Sequence, residues 1–321
     1  MDSIEKAMLA RQRGPVRSPP PPLPSVASSP AEGVIERMAH LTMASPDSVT
    51  TATPGSAKRT QRSATLDFER IRAAGFLAPD TQRSQLKEEY RHIKRPLLLN
   101  VDGRGATTVE RPNLIMVTSA RPGEGKTFTA CNLALSIASE RDRTVLLVDA
   151  DVIKPSLDRT LGFEAELGLV DYLVNDQLEL ADVLVDTNVP SLTLLPAGSP
   201  YHLSAELLAG ERMRKLAAEL SGRYADRIVI FDAPPLLMTT EASILASLMG
   251  QVLVVVEAER TPQSQVKAAL DLLDSNRQIV GFVLNKSHSF FGADSYGYGY
   301  GYGYGHDGDE GVAEHKGKHP G

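Results

Sequence analysis

Residues 118–138 read TSARPGEGKTFTACNLALSIA. A small residue, Ala120, is followed by four variable positions and then Gly125-Lys126-Thr127. Gly123 and Gly125 allow a tight backbone turn that aims N–H groups at an anion. Lys126 is long enough to reach β- and γ-phosphates, and Thr127 offers a hydroxyl to Mg²⁺. The apolar-periodic helix that follows presents its positive end to the same point. Because the β-rich run LIMVTS precedes the loop, strand, loop and helix occur in the order that a phosphate-binding loop requires. Pro122, Gly123, Glu124, Gly125, Lys126, Thr127 and Phe128 are the expected nucleotide contacts.

Outward from this loop, apolar β-rich runs recur at NLIMVTS, TVLLVDA, SLTLLPA, RIVIFDA, QVLVVVEA and IVGFVLNK. Helical patterns separate most of them, at 127–140, 203–221, 240–249 and 263–275. Continuous Val/Ile/Leu strands interleaved with helices predict an α/β fold of the P-loop NTPase type, its mostly parallel central sheet covered by helices on both faces. In such sheets ligands bind outside the C-terminal strand ends. Two strands end there in carboxylates. TVLLVDADVIKPSL carries Asp149 and Asp151 two apart, able to project to one side, and RIVIFDAPPLL carries Asp232, a Mg²⁺ ligand directly or through water. Thr127 and Asp232 are the metal ligands expected from the pattern itself. Asn285 ends the last strand; it reads equally as a partner for a purine edge and as an ordinary turn residue. Cys131 sits among apolar neighbours and is expected in the core.

Composition narrows the function classes. The net charge of −6 gives no reason to expect nucleic acid as a partner, and the one cysteine excludes an internal disulfide framework. No run of 18 apolar residues occurs and the first residues lack a long apolar segment. A cytoplasmic protein is the expectation. Residues 1–65 hold nine of the 21 prolines and are expected to be disordered, interrupted by short amphipathic stretches around Ile4–Met8 and Val34–Leu41. Residues 66–110 read as a helical docking or oligomerisation segment, with DFERIRAAG from Asp67 to Gly75 and a second helix in TQRSQLKEEYRHIKRP that Pro96 is expected to stop. Its Glu88, Arg91 and Lys94 recur every three residues, as a solvated charged row or a self-association surface. The core domain spans 111–290.

The final segment, 291–321, holds five of the nine tyrosines, Tyr296, Tyr298, Tyr300, Tyr302 and Tyr304, each separated by one glycine. Ordering glycine costs the most backbone entropy, so this repeat is not core. A low-complexity adhesive tail and a flexible array of phenols offered to an active site both fit. His306, His315 and His319 in the same segment read as solvated.

Asp-Ala-Asp close behind a Pro-Gly-Glu-Gly-Lys-Thr loop, the Asp-Ala-Pro-Pro strand end and the tyrosine-rich C-terminus together resemble the bacterial tyrosine kinases, which are related to the MinD/ParA ATPases. SIEKAM, the block LDFERIRAAGFLAPDTQRSQLKEEYRHIKRPLL and VDADVIKPSL look closest to the exopolysaccharide autokinases found with exosortase loci. The resemblance covers roughly 65–290 plus the tail. It implies ATP and Mg²⁺ as ligands, Asp151 joining Thr127 and Asp232 in the metal set, Lys126 and Asp149 as catalytic residues with Asp149 orienting or deprotonating the phenol, and the five tail tyrosines as autophosphorylation sites reached in trans. It implies a homo-oligomer such as a ring, built on Glu88, Arg91 and Lys94, the last standing where the family motif has Arg. It further implies a separate membrane chain-length regulator of the polysaccharide copolymerase type as activator, a tyrosine phosphatase, and peripheral attachment at the inner face of the membrane through a partner. Ile153 stands where many relatives have Arg. The rival class is a MinD/ParA-like ATPase switch without protein phosphorylation; its early loop lysine is replaced here by Arg121. A third class is an adhesive module on a nucleotide-regulated scaffold.

Overall fold

The computed structural model describes residues 62–79, 83–223, 227–274 and 277–287. In chain order the elements are β1 (Arg62–Ala64), α1 (Phe68–Ala73), α2 (Gln85–Val101), β2 (Leu114–Ser119), α3 (Lys126–Ala138), β3 (Thr144–Asp149), α4 (Leu157–Leu161) and α5 (Leu169–Val174). They continue through a 3₁₀ turn (Leu180–Asp182), β4 (Val185–Thr187), β5 (Leu192–Leu195), α6 (Ser204–Ala209), α7 (Glu211–Arg223), β6 (Arg227–Asp232), α8 (Thr240–Ala246), β7 (Gln251–Glu257), α9 (Gln263–Leu270) and β8 (Ile279–Asn285). The tail tyrosines, the tail histidines and the two N-terminal amphipathic stretches lie outside the described residues.

One eight-stranded sheet runs in the order β1-β4-β5-β3-β6-β2-β7-β8. Every neighbouring pair is parallel except β4 with β5. All six apolar runs singled out in the sequence are strands. The two short strands β1 and β4, three residues each, carry too few residues for a period-2 pattern and escape a sequence reading.

The central strands are buried on both faces, and their alternation sorts side chains into two cores. Ile115, Val117, Val145, Leu147, Ile228 and Ile230 point to the side covered by α2 and α3, where Tyr90, Leu97, Leu133 and Ile137 meet them. Leu114, Met116, Leu146, Val148, Val229 and Phe231 point the other way, to Leu169, Met213, Leu216 and Leu245 on α5, α7 and α8. Cys131 is fully buried in the first of these.

Asp67 caps α1 by accepting from the N–H groups of Glu69 and Arg70, and Gly75 follows at φ +84°, as the sequence implied. Pro96, however, does not stop α2, which runs on to Val101. Proline removes one N–H and leaves the carbonyl four residues back without a donor. His92 and Pro96 are both exposed, so water can serve that carbonyl. Beyond it Leu97 and Leu98 are buried, and Gln251 Nε2 donates to Leu97 O at 3.2 Å while Asn100 Nδ2 donates to Gln251 Oε1 at 2.8 Å. Tertiary contacts hold the last turns of α2 where local propensity would end them.

The charged row on α2 also divides. Glu88 and Arg91 pair at 3.0 Å on the exposed face. Lys94 does not share that face: it is buried, its Nζ donates to Ser136 O at 2.6 Å and pairs with Glu140 at 2.9 Å. A three-residue step on an α-helix falls short of a full turn by about 60°, so two steps carry the row about 120° around the axis. Lys94 thereby arrives over the C-terminal turn of α3, which has no basic residue of its own, and supplies a cation to its carbonyls. We expect Lys94→Met to lower unfolding free energy by about 1–3 kcal/mol in urea titrations, and Glu88→Ala or Arg91→Ala to change it by under about 0.5 kcal/mol. Equal, negligible effects at all three positions would remove Lys94 from this structural role.

Candidate functional site

The site is built where β2, β3 and β6 end side by side. From β2 the chain enters Ser119–Gly125, where Gly123 at φ +83° and Gly125 at φ +100° take left-handed conformations that make the tight turn. A methyl group on Gly125 would collide with the Asn285 amide. Lys126 begins α3, so the loop opens directly onto a helix N-terminus. No acceptor for the N–H groups of Glu124, Gly125 and Lys126 is found among the described residues. These open donors are what a phosphate chain would take up.

Glu124 is 1% exposed although it sits in a loop. One carboxylate oxygen accepts from Arg121 N at 2.7 Å and the other from the Thr261 hydroxyl. Its own carbonyl accepts from Asn285 Nδ2 at 2.8 Å, and the Gly123 carbonyl accepts from Lys286 Nζ at 2.7 Å. Asn285 therefore has a partner in the loop itself, a third use beside the purine contact and the turn. Phe128 turns its ring onto Phe76, with centroids 4.9 Å apart; any contact it makes with phosphate is through its backbone. Thr261 and Lys286 carry no motif, and sequence reasoning missed both.

Of the strand-end carboxylates, Asp151 meets Lys126 directly. Its ammonium lies 3.4 Å from Asp151 Oδ2, both side chains being about nine-tenths buried. Asp149 is 1% exposed and takes three backbone donors: Asp151 N at 3.2 Å, Ser156 N at 3.0 Å and Leu157 N at 3.0 Å. It ties the turn after β3 to the start of α4, a structural task in addition to the chemistry expected of it. Burial drives the Asp149 carboxyl up to about 6, the charge on Asp151 adding to it and the Leu157 and Ser156 N–H groups opposing. Asp232 is fully buried, and neither carboxylate oxygen has a hydrogen-bond partner among the described residues. Burial and then the charge of Asp149 push its carboxyl up to about 7, against the nearby Thr127 hydroxyl and Lys126 ammonium.

This chemistry fits Mg²⁺. An unpartnered buried carboxylate is a costly group that a cation would satisfy. Thr127 Oγ1 stands 3.1 Å from Ser156 Oγ, a hydroxyl pair on the same side of the loop. Among the described residues no group of three or more His, Cys, Asp or Glu could enclose a metal. Ile153 is exposed, two residues beyond Asp151. No helix among the described residues is long and apolar enough to cross a membrane.

Comparison with known proteins agrees with this geometry. A family model described as an AAA domain, AAA_31, matches residues 112–279. Tyrosine-protein kinase YwqD of Bacillus subtilis is 32% identical over 221 residues, which make up 67% of this chain and 89% of that protein. Putative tyrosine-protein kinase EpsB of Ralstonia nicotianae is 36% identical over 174 residues, 54% of this chain; the match spans 23% of EpsB, about a quarter of its length. Among solved structures, the kinase domain of Escherichia coli tyrosine kinase ETK superposes with a TM-score of 0.56 at 25% identity, covering 77% of this chain and 89% of that one.

Both raised carboxyls lie above the unfolded aspartate value of about 3.9, so the folded state holds extra protons between the two values and loses stability as pH rises through the folded ones. Without metal or nucleotide, Asp232→Asn is therefore expected to gain melting temperature relative to the parent as pH rises from about 4 to about 7. Calorimetry in the presence of chelator measures that difference. A difference that stays constant or shrinks over this range would count against a protonated Asp232.

Proposed function

The chain belongs to the bacterial tyrosine-protein kinase family, and from that premise we propose that it is an ATP-dependent autokinase whose substrate is its own C-terminal tyrosine cluster. The observation that carries this reading is the contact between Lys286 Nζ and the Gly123 carbonyl at 2.7 Å. It sets Lys286, ten residues ahead of Tyr296 in the sequence, against the phosphate loop. Counted from Ser287, an extended chain reaches at most about 30 Å to Tyr296 and about 60 Å to Tyr304. That span suffices for the site of a neighbouring copy, and Gly-Tyr alternation lets any of the hydroxyls enter it.

In this reading Gly123–Phe128 and the Lys126 ammonium hold the phosphates of ATP, while Thr127, Asp151 and Asp232 hold Mg²⁺. When bound, ATP supplies the phosphoryl group and Mg²⁺ neutralises phosphate charge. A phenol has a pKa of about 10 and needs an acceptor for its proton at neutral pH. Asp149, with a carboxyl raised to about 6, is the assigned acceptor, and the backbone donors from Ser156 and Leu157 keep it aimed. Asp151 steadies Lys126. Asn285 is assigned to the same nucleotide site.

Modification of all five tyrosines would add roughly −8 to −10 charges, enough to expel the tail from an acidic surface and loosen a homo-oligomer. Glu88 and Arg91 on the exposed face of α2 are the residues we assign to self-association, with Lys94 supporting them from within. We further assign the chain to control of exopolysaccharide chain length and export. It would work at the inner face of the cell membrane through a membrane regulator of the polysaccharide copolymerase type, and a tyrosine phosphatase would reset it.

Intact-mass spectrometry after incubation with Mg²⁺ and ATP tests this directly. Up to five phosphates mapping to 296–304 are expected in the parent, and none in Lys126→Met or in a tail with all five tyrosines changed to Phe. Lys126→Met strands Asp151, so its melting temperature is recorded alongside. ATP hydrolysis without any phosphate on the parent, even with a candidate membrane activator present, would replace the kinase by an ATPase switch.

A further inference from the structure

The phosphate loop is held by the residue that ends β8 and the one that follows it, and the way it is held sets which way its donors face. Lys286 Nζ takes the Gly123 carbonyl at 2.7 Å and Asn285 Nδ2 takes the Glu124 carbonyl at 2.8 Å. In a trans peptide the C=O of one residue and the N–H of the next point in opposite directions across a rigid plane. Drawing the Gly123 carbonyl toward β8 therefore turns the Glu124 N–H away from β8. Drawing the Glu124 carbonyl the same way turns out the Gly125 N–H. Neither N–H has an acceptor among the described residues.

We propose that Asn285 and Lys286 are positioning residues for phosphate binding, acting through the Gly123–Glu124 and Glu124–Gly125 peptide planes and touching no ligand atom. Both glycines stand at positive φ, in a region that glycine leaves readily for others, so the loop needs an external hold to stay in one conformer. The Glu124 side chain supplies a second one, spanning Arg121 N and the Thr261 hydroxyl. Packing limits Asn285 as well, since its amide fills the space a side chain on Gly125 would need. Lys286 is itself fixed at φ +57°, and its ammonium is shared with Glu257 at 3.3 Å. The hold therefore joins three segments: the loop, the end of β7 and the end of β8. Donors fixed before the anion arrives cost nothing to orient when it binds.

This inference rests on the nucleotide site proposed above but not on tyrosine transfer. The test uses inorganic tripolyphosphate with Mg²⁺ on the full-length chain, measured by calorimetric titration beside ADP. Tripolyphosphate has no base, and Asn285→Leu changes no charge. If Asn285 orients the loop, Asn285→Leu weakens both ligands in parallel, about fivefold or more. If Asn285 reads a purine edge instead, ADP weakens and tripolyphosphate does not, which would overturn the proposal. Lys286→Met is expected to weaken tripolyphosphate and Lys286→Arg to restore it to within about twofold, with melting temperatures unchanged. An affinity for tripolyphosphate unaltered in Lys286→Met, or lost only in step with melting temperature, would also overturn it. A parent chain that binds neither ligand would bring down the nucleotide site itself, whereas binding without tyrosine transfer leaves the positioning role standing and removes only the kinase.

Discussion

One ammonium and three carboxylates are buried together where the strands end, and much of the architecture answers that imbalance. Lys126 lies 3.4 Å from Asp151, and Asp149 and Asp232 are buried beside the pair. Charges in such a place are costly unless they are paired, hydrogen-bonded or neutralised by a proton. The first two devices serve Asp151 and Asp149, whereas Asp232 is left without a hydrogen-bond partner among the described residues. Asp151 has the ammonium, Asp149 has three backbone N–H groups, and Asp232 has a carboxyl raised to about 7. A site that stores this much negative charge around one cation is prepared for a dication and a phosphate chain together.

The sheet makes that concentration possible. Parallel β2, β3 and β6 are neighbours about 4.8 Å apart, so their C-terminal ends set the loop, the Asp149–Asp151 turn and Asp232 side by side. The strands are apolar on both faces, which leaves their ends as the place where charge can gather without breaking a core. The loop is steadied by groups from the other side of β2, where β7 and β8 complete the sheet. Thr261 comes from the connection between β7 and α9, and Asn285 and Lys286 from the end of β8; each engages Gly123 or Glu124.

Helix α2 shows how a charged sequence row can mislead. Glu88, Arg91 and Lys94 share a spacing, yet the spiral of the helix places Lys94 over the end of α3 while the other two remain in water. Pro96 misleads in the opposite direction, suggesting a stop that Gln251 and Asn100 override by binding the turns beyond it. In both places a long-range partner outweighs a local preference worth only a few kcal/mol.

What the sequence determined by itself was the fold class, the six principal strands, the phosphate loop and its strand-end acids. These are written in short-range patterns: period-2 burial, two glycines at fixed offsets, and a carboxylate directly after an apolar run. Only the tertiary structure decided that Asp149 is consumed by three backbone donors, that Asp232 has no partner, that Lys94 faces inward and that Asn285 and Lys286 grip the loop. The reason is physical. Those facts depend on which groups meet across separations of up to about 160 residues, and a carboxylate or an amide looks the same in sequence whichever partner it finds. Local chemistry is legible along a chain, whereas burial and pairing exist only after the chain has closed on itself.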